Sequence, residues 1–167
     1  TDTAFYKGFG GDCYSWANPV GNTIAFVYAN DWEDAFLMKS TDNGATWTKT
    51  VIFQHPYPKF VESTTLVLDT PTVCDGFVSV ALDNSGKAHV FFGMMRVLND
   101  DLTDGNTSYF PYTDGLAYWN DDMPTHIVMD IDQFYDDGLL VGYTQDLNGN
   151  DTILEYLFDT SDPDGPI

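Results

Sequence analysis

The stretch Asp31-Trp32-Glu33-Asp34 places an indole ring among three carboxylates. An aromatic ring can stack on the apolar face of a sugar, and neighbouring carboxylates can accept hydrogen bonds from the sugar hydroxyl groups. The same residues also suit a solvated turn in which the tryptophan is partly buried. Asp31, Trp32 and Asp34 are therefore candidate ligand-binding residues, and an ordinary turn is the alternative.

Acidic and aromatic side chains also gather between residues 99 and 112. This region suits a glycan or a calcium ion, and a polar surface loop is the alternative. Calcium needs about six to eight oxygen atoms that converge on one point, and the Asp-rich stretches 146–151 and 160–165 lack the full ligand pattern of an EF-hand. The candidate ligand-binding residues of the region are Asp100, Asp101, Asp104, Tyr109 and Tyr112.

Histidine and cysteine chemistry is sparse in this chain. His55, His89 and His126 have no metal-ligand spacing to one another or to a cysteine, so zinc is not expected. No cofactor is certain from the sequence, and Ca²⁺ is the one candidate. Cys13 and Cys74 either form a disulfide, as in a secreted protein, or are two buried free thiols.

The charge of the chain is strongly negative. Its 167 residues include 26 acidic and 6 basic side chains, a formal net charge of -20, and 23 of the acidic residues are aspartate. Such a chain repels phosphates, which excludes nucleic acid as a partner. Aspartate favours turns over helices, so the composition predicts short strands joined by tight polar turns. No apolar run is long enough to span a membrane as a helix.

The elements that would position the candidate residues are β-strands, because no window shows helical spacing of apolar residues. The stretches 78–92 and 141–155 superimpose with an offset of 63 residues, and each contains an Asp-x-x-Gly turn between two strands. The predicted strands are 23–30, 35–40, 46–53, 76–82, 87–95, 115–120, 125–130, 139–145 and 151–158.

This rhythm predicts an all-β fold of about two and a half four-stranded propeller blades, and a single β-sandwich is the alternative. The predicted blades are 12–53, 75–130 and 138–167. A closed propeller needs about four or more blades. We therefore expect a fragment of a longer protein, or a chain that closes with copies or partners.

The stretch Ser40-Thr41-Asp42-Asn43-Gly44-Ala45-Thr46-Trp47 lies between two predicted strands. Asp42 can accept hydrogen bonds from the turn that it opens, Gly44 can supply a positive φ, and Trp47 can cover the hairpin. At its defined positions, Ser40, Asp42, Gly44, Thr46 and Trp47, the stretch resembles the Asp-box of the sialidase-like and BNR-repeat propeller families.

The resemblance implies that this turn joins the third and fourth strands of a blade, on the face away from the ligand site. The longer connections at 30–35, 53–75 and 96–114 would then lie on the functional face. Sialidases hold the substrate carboxylate with three arginines, whereas this chain has only Arg96. Sialidase activity within these residues is therefore not expected.

The function predicted from the sequence is a non-catalytic segment of a secreted or cell-surface protein that binds a glycan or a protein through its long loops. One alternative is a part of a glycoside hydrolase whose catalytic residues lie outside this chain. Another is a structural module of a surface assembly. In each case the rest of a longer chain or other subunits would complete the molecule.

Overall fold

The computed structural model describes residues 13–57 and 59–125, together with two strands at 140–145 and 154–157. For residues 111–114 and for those last two strands, only the backbone is described. In this part of the chain, no helix has the length and the apolar character needed to cross a membrane.

The described residues form two antiparallel sheets in which each strand pairs with the next along the chain. The first sheet contains β1 to β4 and the second contains β5 to β9. The strands are β1 Tyr14–Trp16, β2 Ile24–Asn30, β3 Glu33–Ser40, β4 Thr48–Phe53, β5 Thr72–Leu82, β6 Ala88–Leu98, β7 Ser108–Asn120, β8 Leu140–Gln145 and β9 Leu154–Leu157.

The all-β prediction is confirmed, and the described residues show two sheets without a closed propeller. The sequence assigned 138–167 to a third unit, but β8 pairs with β7 and β9 pairs with β8, which extends the second sheet. Hairpins of similar sequence are recognisable from their turn residues, but the sheet that accepts them depends on tertiary contacts. The predicted strand 125–130 lies outside the described residues from residue 126 onward.

Other strand boundaries also differ from the prediction. β1 was not predicted, because three residues are too few for a periodic pattern. Part of the predicted loop at 96–114 is paired strand, since Arg96 to Leu98 lie opposite Phe110 to Ser108. β5 likewise begins at Thr72, within the predicted loop at 53–75.

Both sheets carry apolar side chains on both faces. β2 reads IAFVYAN and β6 reads AHVFFGMMRVL, without the strict alternation of a strand that has one wet face. The two inward faces share one core, whose members include Ala25, Val27 and Leu37 from the first sheet and Val90, Phe92 and Trp119 from the second.

The Ser40–Trp47 turn joins the third and fourth strands of the first sheet. Asp42 Oδ1 accepts hydrogen bonds from Thr46 N at 2.8 Å and from Ser40 Oγ at 2.7 Å. Its Oδ2 accepts a bond from Thr46 Oγ1 at 2.7 Å. Gly44 has φ +88° and accepts a bond from Trp47 Nε1 at its carbonyl oxygen. Asp42 is thus occupied in building the turn.

The hydrogen bonds from Thr46 and Ser40 lower the pKa of Asp42 from 3.8 to about 2. Because the folded-state pKa is depressed, the ionised carboxylate stabilises the fold above pH 3.8, and this contribution is lost as the pH falls towards 2. We expect Asp42→Asn to remove this part of the acid sensitivity, as measured by thermal unfolding between pH 2 and 6. Thr46→Val, which keeps the backbone donor, should remove less of it. An acid profile of Asp42→Asn equal to that of the parent chain would contradict this assignment.

Candidate functional site

The connections between strands lie alternately at two opposite ends of the sheets, because successive strands run in opposite directions. One end, here called the turn end, carries the short turns at 20–23, 40–47 and 83–87. The other, here called the loop end, carries the connections at 31–32, 54–71 and 99–107. The connections predicted for the functional face therefore share one end, which makes the loop end the candidate site.

His55 ties two of these connections together. Its Nδ1 accepts the backbone N–H of Tyr57 at 2.8 Å, so Nε2 carries the proton and donates to the carbonyl of Asp31 at 3.0 Å. The backbone N–H of His55 donates to Asp34 Oδ1 at 2.9 Å. Burial lowers the pKa of His55 from 6.5 to about 4, so the ring is neutral at pH 7 and both nitrogens are engaged.

Trp32 lies against the β4–β5 connection. Its ring stacks on Phe60, with centroids 3.8 Å apart and planes 16° apart, and its centroid is 5.6 Å from that of His55. Trp32 Nε1 is buried and has no hydrogen-bond partner in the described part of the chain. One face of the indole is therefore covered, which favours the partly buried turn over a sugar-stacking platform.

Asn99 anchors the same connection from the other side. It is 1% exposed, and its Nδ2 donates to the carbonyl of Thr65 at 2.7 Å and more weakly to that of Glu62 at 3.3 Å. Its backbone pairs with Val67 in both directions. Arg96 Nη1 donates to the carbonyl of Thr70 at 3.1 Å. The chain's single arginine, on β6, thus helps to hold the β4–β5 connection.

Tyr57 and Asp69 connect the two halves of the β4–β5 connection. The Tyr57 hydroxyl donates a hydrogen bond to Asp69 Oδ1. This bond raises the pKa of Tyr57 to about 12, since loss of the phenolic proton would place two negative charges together.

The β6–β7 connection is built by its own aspartates. Asp101 Oδ1 accepts the Thr103 N–H at 2.8 Å and the Thr103 hydroxyl at 2.7 Å, which lowers the pKa of Asp101. Asp104 Oδ1 accepts the Asn106 N–H at 2.9 Å. Of the remaining candidates in this region, Asp100 and Tyr109 are exposed, and the side chain of Tyr112 lies outside the described residues.

Within the described residues, no group of three or more His, Cys, Asp or Glu side chains could hold a metal ion. The Asp-rich stretches 146–151 and 160–165 lie outside the described residues. Cys13 and Cys74 are not joined by a disulfide, and burial raises the pKa of the Cys74 thiol.

The loop end exposes apolar side chains on connections that buried polar contacts hold in place. Leu68, on the β4–β5 connection, is 68% exposed, and Tyr109, at the start of β7, is 66% exposed. Val61 and Leu66 on the β4–β5 connection and Leu102 on the β6–β7 connection are also exposed. Exposed apolar side chains that cluster on an ordered surface are typical of sites that contact another molecule.

The predicted connections do lie at one end of the sheets, but the sequence analysis missed the residues that hold them. His55 and Asn99 are nearly fully buried, yet histidine and asparagine in loops usually face water. The one local signal was at His55, which is followed by prolines at positions 56 and 58. Asp69 carried no signal, because its partner Tyr57 is 12 residues away.

No family model, curated protein or solved structure was found to match this chain.

Proposed function

We propose that this chain is a non-catalytic binding module, made of two consecutive propeller blades of a secreted or cell-surface protein, which binds a protein partner with its loop end. The observation that carries the proposal is the exposure of Leu68 and Tyr109 at the loop end, where His55 and Asn99 hold the β4–β5 connection in place. A surface that is ordered before binding loses little conformational entropy when a partner docks.

Charge specifies the kind of protein partner. The segments 30–35, 54–71 and 96–107 contain eight acidic residues, namely Asp31, Glu33, Asp34, Glu62, Asp69, Asp100, Asp101 and Asp104, but only two basic ones, Lys59 and Arg96. Acidic side chains on the same segments as exposed leucines complement a basic surface with an apolar centre. A glycan fits this surface less well, because Trp32 is stacked on Phe60 and that face of its ring is covered.

The contacts of the loop carboxylates support binding over hydrolysis. A glycosidase needs two carboxyl groups that face one substrate. Asp34, Asp69, Asp101 and Asp104 each accept a hydrogen bond from within the loop end. These bonds give the carboxylates a role in holding the connections.

The experiment is a selection of random peptides displayed on phage against the whole chain, with a glycan array in parallel. We expect the enriched peptides to combine basic and apolar residues, and we expect Leu68→Ser and Tyr109→Ser to weaken their binding at least about tenfold. The matched control is Asn84→Ser, an exposed position at the turn end, which should bind the peptides as the parent chain does.

Two outcomes would overturn this proposal. One is an absence of peptides whose binding depends on Leu68 or Tyr109. The other is glycan binding that these two substitutions abolish, because the loop end would then be a carbohydrate site.

A further inference from the structure

The two sheets stack in the same orientation, with corresponding parts side by side. The first turns of the two sheets are in contact. Gly86, in the β5–β6 turn, lies so close to Thr23, in the β1–β2 turn, that a Cβ on Gly86 would be 3.1 Å from Thr23 Oγ1. The ends of the third strands also meet, because Lys39 Nζ on β3 lies 2.6 Å from the carboxylate of Asp121, which follows β7. The first strand of the second sheet, β5, packs along β1 and β2.

This relation fixes which faces are alike. When one sheet is placed on another without being turned over, the two surfaces that meet are opposite faces of the repeating unit. The outward face of the second sheet is therefore equivalent to the inward face of the first. The outward face of the first sheet is likewise equivalent to the inward face of the second.

Side-chain size supports this equivalence. On the inward face of the first sheet, small residues predominate in the first three strands, namely Ala17, Ala25, Ala29 and Ala35. The inward face of the second sheet presents large side chains to them, which include Phe92, Met94 and Trp119. The core between the sheets thus joins a face rich in small residues to a face of large ones.

The outward faces also carry large apolar side chains. On the second sheet, Phe91 and Leu116 are 42% and 44% exposed beside the small residues Ser79 and Ala81, whereas the Asp75 carboxylate covers Gly93. On the first sheet, the rings of Trp16, Phe26 and Trp47 contact one another, and Trp16 is 57% exposed.

We propose that the outward face of the first sheet in a second copy of this chain docks on the outward face of the second sheet, and so continues the stack. In the observed interface the first strand of the added sheet lies along the first two strands of the sheet below it. Trp16 on β1 of the second copy would accordingly meet Phe91 on β6. Such a head-to-tail contact leaves one face open at each end, so about two to four copies would close a ring of roughly four to eight sheets.

The test uses the whole chain, measured by size-exclusion chromatography with light scattering and by native mass spectrometry. We expect the parent chain to assemble to at least twice its 18.7 kDa mass, with a midpoint in the micromolar range. Trp16→Thr and Phe91→Thr should each be monomeric at that concentration. Ala81→Arg, at an exposed strand position, should block the same face by the size of its side chain, and it removes no side chain from the core.

Mixing the variants gives the decisive result. Trp16→Thr retains an intact second sheet and Phe91→Thr retains an intact first sheet, so an equimolar mixture should form a complex that contains both. Leu68→Ser, at the loop end, should assemble as the parent chain does. A parent chain that stays at 18.7 kDa up to about 100 μM would overturn the proposal. So would a mixture that remains monomeric, or single variants that assemble normally.

Discussion

Replacing His55 by alanine is expected to lower the free energy of unfolding by about 3 to 4 kcal/mol. The side chain is 1% exposed, so the substitution leaves a cavity the size of an imidazole ring. It also deprives the Asp31 carbonyl of its donor and the Tyr57 N–H of its acceptor, both in a water-excluded place. Urea unfolding at pH 7 measures the loss.

His55→Phe separates the two causes. Phenylalanine fills most of the volume but makes neither hydrogen bond, so we expect roughly half of the loss, about 2 kcal/mol. An alanine variant within about 0.5 kcal/mol of the parent would mean that His55 does not anchor the loop end.

The pH dependence of stability provides an independent check on His55. Its folded-state pKa of about 4 lies below the ordinary 6.5, so the folded state favours the neutral ring. The stability that this contributes is complete above pH 6.5 and is lost as the pH falls towards 4, for a total of about 3 kcal/mol. His55→Phe has no imidazole to protonate. Its stability should therefore fall less than that of the parent chain between pH 6.5 and 4.

Local features of this fold could be predicted from the sequence because the residues that form them are neighbours along the chain. In the Ser40–Trp47 turn, the bonds of Asp42 span at most four residues, so residue types at fixed offsets predicted them. The apolar runs predicted the strands for the same reason. The face that each strand would bury was not readable, because apolar residues occupy both faces of both sheets.

The contacts that hold the loop end could not be predicted from the sequence. The sequence left two roles open for Trp32, a sugar-stacking residue or a partly buried residue of a turn, because its covering residue, Phe60, lies 28 positions further along the chain. His55 and Asn99 hold backbone groups 24 and 34 residues away. Contacts at such separations depend on how the two sheets stack, and no offset in the sequence records that.

Trp119 is the largest fully buried side chain of the described residues, and its replacement by alanine is expected to cost about 4 kcal/mol. Trp119 is fully buried on the inward face of the second sheet, within the core that both sheets share. Its Nε1 also donates to the Pro124 carbonyl at 3.1 Å, just beyond the end of β7.

Trp119→Phe keeps a six-membered ring but loses the five-membered ring with its N–H donor, so it should cost about 1 to 2 kcal/mol. Because the small residues of the first sheet pack against this face, the alanine cavity would open between the sheets. We therefore expect one unfolding transition that shifts as a whole in urea, when it is followed separately by fluorescence and by circular dichroism. Two separate transitions, or a loss below about 1 kcal/mol, would show that each sheet is stable without the other. The large-to-small packing would then not be what joins one sheet to the next, and the head-to-tail assembly proposed above would lose its physical basis.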